Sequence, residues 1–185
     1  MSAPISRHIR GCRASKADGF TLVELLFVVA IIGLLAAIAV PGLMRGRMAG
    51  NEASAIASMR AITNAQAAFA STCGGGGYAN SLADLALEPL AGGNPFIPAD
   101  LGAADPLGTP KSGYVFTITG GGSSVMLAAN TCNGATDDSV TQFFAQGDPD
   151  DPGNTGARFF AADESGQMRQ DTAQLPDMLA GIPLR

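Results

Sequence analysis

From Phe20 to Val40 the chain is apolar with one exception, Glu24. Twenty-one residues at about 1.5 Å each make a helix of roughly 30 Å, the thickness of a bilayer's hydrocarbon core. Val29, Ile31, Ile32, Leu34, Leu35, Ile38 and Val40 would point in every direction around a helical wheel. A helix that is apolar on all sides is either deeply buried or in lipid. A carboxylate within it is costly, about 2.5–3.5 kcal/mol at mid-helix and less near an end. Keeping one there points to a function, and to a partner that neutralises it.

Two plain readings compete. One is a secretory signal, with Arg7, Arg10, Arg13 and Lys16 as the basic region and Ala37-Ile38-Ala39 as the cleavage site. It must accept a glutamate early in its apolar core, and it would discard a run that leads straight into a further helical pattern. The other is a simple single-span anchor.

A third reading rests on particular residues. Gly19-Phe20-Thr21-Leu22-Val23-Glu24-Leu25-Leu26, followed by Ala30-Ile31-Ile32-Gly33-Leu34-Leu35-Ala36-Ala37-Ile38-Ala39-Val40-Pro41, resembles the amino terminus of type IV pilins and type II secretion pseudopilins. The resemblance implies an α+β pilin-like fold, with one long amino-terminal helix packed on a small antiparallel sheet. It implies a basic leader over 1–19, cut after Gly19 by a prepilin peptidase, and N-methylation of the new amine on Phe20. It further implies a helix over 20–72, membrane-spanning over 20–40, and a globular head over 73–185. The implied partners are copies of the chain and other pilins, an inner-membrane assembly platform and its ATPase. The physical chemistry is consistent with this: in a filament of parallel helices, the Phe20 amine of one subunit and the Glu24 carboxylate of another would neutralise each other, because a paired buried charge is tolerated where a lone one is not. Glu24 would then set assembly register.

Charge is unevenly divided. The leader carries four of the eleven basic residues and Asp18, while the remainder holds seven basic and fifteen acidic residues, a net −8. Basic residues ahead of an apolar span stay cytoplasmic, so the chain beyond Val40 is expected outside the cytoplasm; the resemblance implies that it lies in the periplasm and then on a filament. A chain this acidic offers no evident surface for nucleic acid. Cys12 lies in the leader. Cys73 and Cys132 are an even pair in an exported domain, where a disulfide is expected, with two free buried thiols as the alternative.

Pro41 and Gly42 predict a bend or local opening of the helix. Beyond them Met59, Ile62, Gln66 and Phe69, with Ile56 and Ala65 beside them, form one helical stripe that should pack on the chain's own sheet. Cys73-Gly74-Gly75-Gly76-Gly77 ends the helix. A phosphate loop is rejected, since no strand precedes it and no Lys-Ser/Thr comes after it. Ala79–Leu90 predicts a short helix capped by Asn80 or Ser81, and 92–109 a long surface loop.

Tyr114, Phe116 and Ile118 alternate with Val115, Thr117 and Thr119, a clear strand. Gly120-Gly121-Gly122 is expected to turn it, with Val125–Ala128 returning as a hairpin. Residues 130–138 read as a turn, 141–145 as a short or edge strand, and 148–156 as a polar loop. Residues 158–161 and 167–170 read as strands joined at Asp163-Glu164-Ser165-Gly166. Gly113–Thr117 and Thr155–Phe160 with Asp163–Gly166 also look like pilin-like heads. The tail from Asp171 has no evident place.

A catalytic site is hard to assemble. The one histidine, His8, sits in the leader, which removes nucleophile–histidine pairs and histidine metal sites from the head. Asp163 and Glu164 are adjacent on a turn and diverge. Asp148, Asp150 and Asp151 are weak Ca²⁺ candidates, because oxygen ligands close together on a loop suit that ion, although their spacing does not match the twelve-residue calcium loop. No cofactor and no enzymatic activity are expected. From another functional class, a membrane-anchored binding module that does not polymerise is the alternative.

Overall fold

A computed structural model describes residues 19–103, 108–176 and 180–184. The basic leader, with Cys12 and His8, lies outside the described residues apart from Gly19. The chain forms two compact units, one ending at Pro41 and the other running from Gly42.

The first unit is helical. Helix α1 spans Leu22–Thr72, with Pro41 inside it, so the proline does not end the helix. In this unit every apolar side chain from Phe20 to Val40 is exposed.

The second unit contains the remainder of α1 and a five-stranded antiparallel sheet, so the chain is α+β in the arrangement the resemblance implies. On α1, Ala55, Met59, Ile62, Ala65, Gln66 and Phe69 are buried, the 3-4-3 spacing of one helix face. The strands are β1 (Tyr114–Met126), β2 (Ser139–Pro149), β3 (Phe159–Asp163), β4 (Met168–Asp171) and β5 (Ile182–Pro183), and they lie in sequence order. Alternation sends Tyr114, Phe116, Ile118, Ala145, Phe160 and Ala162 into the core with the α1 stripe. Burying each large side chain stabilises the fold by about 1.5–3 kcal/mol. Across the sheet Phe116, Gly147 and Phe160 form one row. A Cβ at Gly147 would sit 3.0 Å from the Phe116 ring and 3.3 Å from Met59 Sδ, so a bare backbone at that point lets both side chains close over it.

The expected hairpin at Gly120–Gly122 does not form. Strand β1 continues through the three glycines to Met126, pairing Gly121 with Gln142, Ser124 with Val140 and Met126 with Ser139, with two register shifts. Gly122 has φ 77°. A glycine in that conformation serves a bulge as readily as a turn, and a bulge bends the strand without reversing it. The reversal comes later, through a 3-10 turn at Ala128–Asn130 and a loop in which Asp138 accepts from Ser124 Oγ and Ala128 N. The strand expected over 141–145 as short or at an edge is eleven residues long and lies between β1 and β3. Its core face carries Phe143 but then Ala145 and Gly147, and those two small residues hide it from a hydrophobicity pattern.

The predicted helix over 79–90 shrinks to α2, Leu82–Leu85, with Ser81 Oγ accepting from Asp84 N. The surface loop expected over 92–109 contains α3, Ala99–Gly102, and buries Ile97 and Leu101. The tail finds a place: Leu175 is buried and β5 pairs with β4.

Candidate functional site

Helix α1 starts at a cap. Thr21 Oγ1 accepts from Glu24 N at 3.2 Å, and Thr21 O accepts from Leu25 N. Thr-x-x-Glu is the sequence of a capping box, which fixes where a helix begins and places an acid in its first turn, favourable to the helix dipole. The reading of the sequence singled out Glu24 but missed Thr21, although the signal was present. Gly19 and Phe20 therefore lie just outside the helix and exposed, with Phe20 80% accessible. An exposed non-helical peptide ahead of a helix is the kind of backbone a protease can grip. Glu24 is exposed among exposed apolar side chains. Such a band is long and apolar enough to cross a membrane, and its area far exceeds what a free soluble surface carries.

In the head, Cys73 and Cys132 form a disulfide with Cα atoms 4.7 Å apart. It ties the end of α1 to the loop after β1. That loop also wraps α2. Thr136 N and Oγ1 donate to Asp84 Oδ1 at 2.7 and 2.8 Å, and Asn133 Nδ2 donates to Asp84 O. Asp84 is fully buried and its Oδ2 has no hydrogen-bond partner among the described residues. The sequence signal here was Ser81-x-x-Asp84, a second cap.

A second fastening joins α1 to the loop after β2. Arg158 Nη2 and Nε donate to Glu52 Oε2 at 2.7 and 2.8 Å, and Ala157 N donates to Oε1 at 3.0 Å. Arg158 Nη1 reaches Gln170, and Tyr114 Oη donates to Arg158 O. Burial pulls the Glu52 carboxyl upward, but the Ala157 N–H and the Arg158 guanidinium outweigh it and hold it below the ordinary carboxylate range. Burial, with the Glu52 charge nearby, pushes the Tyr114 hydroxyl up to about 12. Glu52 and Arg158 are 106 positions apart, and nothing local in either neighbourhood signals the pair.

The three aspartates are not brought together. Asp148 lies on β2, half-buried, with Oδ2 accepting from Gln174 Nε2 and Oδ1 without a hydrogen-bond partner among the described residues. Burial raises its carboxyl above the ordinary range. Asp150 is exposed beyond the strand, and Asp151 accepts from Asn154 within its own turn. Among the described residues no group of three or more His, Cys, Asp or Glu side chains could hold a metal ion. Asp163 Oδ1 is taken by Ser165 N and Oγ in its turn, while Glu164 is exposed.

Comparison with known proteins places the similarity on the first of these features. The prokaryotic N-terminal methylation motif matches residues 14–40. The type IV major pilin protein PilA of Myxococcus xanthus (strain DK1622) is 45% identical over 51 residues, 28% of this chain and 23% of that protein. The chain thus matches less than a quarter of that relative's length. No solved structure matches. Over its amino-terminal segment the chain is type IV pilin-like.

Proposed function

We propose that this chain is a prepilin, the structural subunit of a type IV pilus or of a type II secretion pseudopilus. The observation that carries the reading is the methylation motif over residues 14–40, running into a helix whose apolar residues from Leu22 to Val40 are exposed throughout. A prepilin peptidase cuts after Gly19, in the exposed peptide ahead of the Thr21 cap, and the new amine on Phe20 is methylated. The apolar span holds the subunit in the inner membrane, with the head in the periplasm. It then becomes the filament core, where burial among parallel helices drives assembly. Glu24 neutralises the Phe20 amine of a neighbouring subunit and so selects one axial register. The assembly platform and its ATPase extract the subunit from lipid.

The test is amino-terminal analysis of the native chain together with Glu24→Ala. A methylated Phe20 terminus is expected, with the variant cleaved and retained in the membrane but absent from sheared filaments. A terminus at Met1 would support the monomeric anchored module, and one at Val40 a secreted form; either overturns the reading, as does wild-type filament yield from Glu24→Ala.

A further inference from the structure

On the sheet face turned away from α1, Thr119, Phe144 and Asp163 are cross-strand neighbours on β1, β2 and β3. Together with Gln142, Glu164 and Pro176 they line an open cavity of about 480 Å³. Phe144 is half-buried there, an aromatic face within a polar sheet surface. The lining holds two carboxylates and no basic side chain. Asp163 Oδ1 is already engaged by Ser165, which leaves Glu164 as the exposed acid. An anion is repelled by such a wall. A guanidinium fits it: the planar cation lies over the ring while its fork meets the carboxylate.

The chain supplies that group. Among the described basic residues of the head, Lys111 bridges Asp100, Arg158 bridges Glu52 and Arg169 donates to Gly181 O. Arg60, exposed on the stretch of α1 that is buried against the sheet, has no ion-pair partner among the described residues; Arg45 and Arg47, likewise unpaired, precede that stretch. It lines a separate depression with Gln167, Met168 and Leu184. Arg60 and the Phe144 cavity are thus two different surfaces of one head. A contact between them on two copies is heterologous: each copy keeps one of the two surfaces free for the next, so the contact propagates instead of closing.

We propose that Arg60 of one copy docks over Phe144 and against Glu164 of a second copy, as a head-to-head contact within the filament. This rests on the filament reading above. The contact gives a strongly acidic head a specific attraction to its neighbour, where like charge would otherwise push the heads apart.

The experiment is a charge swap in the full chain, in cells that assemble it. Arg60→Glu and Glu164→Arg are made singly and together, and sheared filament is measured relative to membrane-held subunit, with disulfide formation as the check on folding. Phe144→Leu keeps the apolar floor without the aromatic face. Each single reversal should lower relative yield by about two- to five-fold per contact, the span of an exposed charge pair, and added salt, by screening the pair, should narrow the difference from wild type. The double swap should restore yield, and Phe144→Leu should lie between. Single reversals at wild-type yield, or a double swap no better than the weaker single, overturn the contact while leaving the filament reading intact. A wild-type chain that never forms filaments overturns both.

Discussion

Replacing Gln66 by leucine separates two accounts of helix α1. Gln66 sits in the apolar stripe between Ile62 and Phe69 and is completely buried. Its Nε2 donates to Ala79 O and its Oε1 accepts from Ala79 N, both at 2.8 Å. The side chain thus satisfies both backbone groups of the buried residue Ala79, just after the glycine run. Leucine of similar volume leaves both Ala79 groups unpaired, at about 1–3 kcal/mol each. Removing the buried amide returns part of that, roughly 1–3 kcal/mol. The net loss is about 2 kcal/mol, or a fall of about 4–8 °C in Tm for a chain of this size. Thermal unfolding of the full chain in detergent, followed by the near-ultraviolet signal of the buried Tyr114, reads it. Gln66→Glu adds a second arm. A carboxylate would accept from Ala79 N but face Ala79 O, so its folded-state pKa would rise. The variant should be poorest above that raised value and recover as pH falls through it, where the protonated acid donates again. If Gln66→Leu unfolds at or above the wild-type temperature, as a simple apolar stripe requires, the reasoning is refuted.

Other expectations come from the fastenings of the head. Cys73→Ser with Cys132→Ser opens a cross-link between residues 59 apart and should cost about 4 kcal/mol by loop entropy, measured as a lower urea midpoint; an unchanged midpoint would show that the loop is ordered without the bridge. The Glu52 carboxyl is held below its ordinary value of 4.5, so the clamp stabilises the fold above that pH and is lost as pH falls through its lower folded value. Glu52→Gln should remove that slope and, with Arg158 40% exposed, cost only about 1–2 kcal/mol at pH 7. Asp148 has the opposite sign: its raised carboxyl burdens the fold above its folded value and is relieved as pH falls through it. Asp148→Asn should therefore be more stable than wild type at pH 7, with the gain vanishing in acid, in the same unfolding assay.

What could be read from one dimension is whatever the chain repeats locally. The run from Phe20 to Val40, the lone Glu24, the 3-4-3 stripe ending at Phe69 and the alternation at Tyr114–Thr119 are each written within a few turns or pleats, and the α+β class comes from their order. The β3–β4 hairpin at Asp163–Gly166 belongs with them. Gly120–Gly122 did not, because glycine permits several backbones and the choice between bulge and turn lies with β2, whose pairing continues past them to Ser139. Strand β2 itself was underrated because Ala145 and Gly147 carry little hydrophobic signal, and at Gly147 it is the Phe116 ring across the strand that requires the residue to be small. Glu52 with Arg158, Asp84 with Thr136, and Gln66 with Ala79 are polar groups whose meaning is a partner far along the chain or across a turn. A carboxylate or amide in a sequence states only that it needs a hydrogen bond or a counter-charge. Burial makes that need costly to leave unmet, and burial is decided when α1 is laid on the sheet.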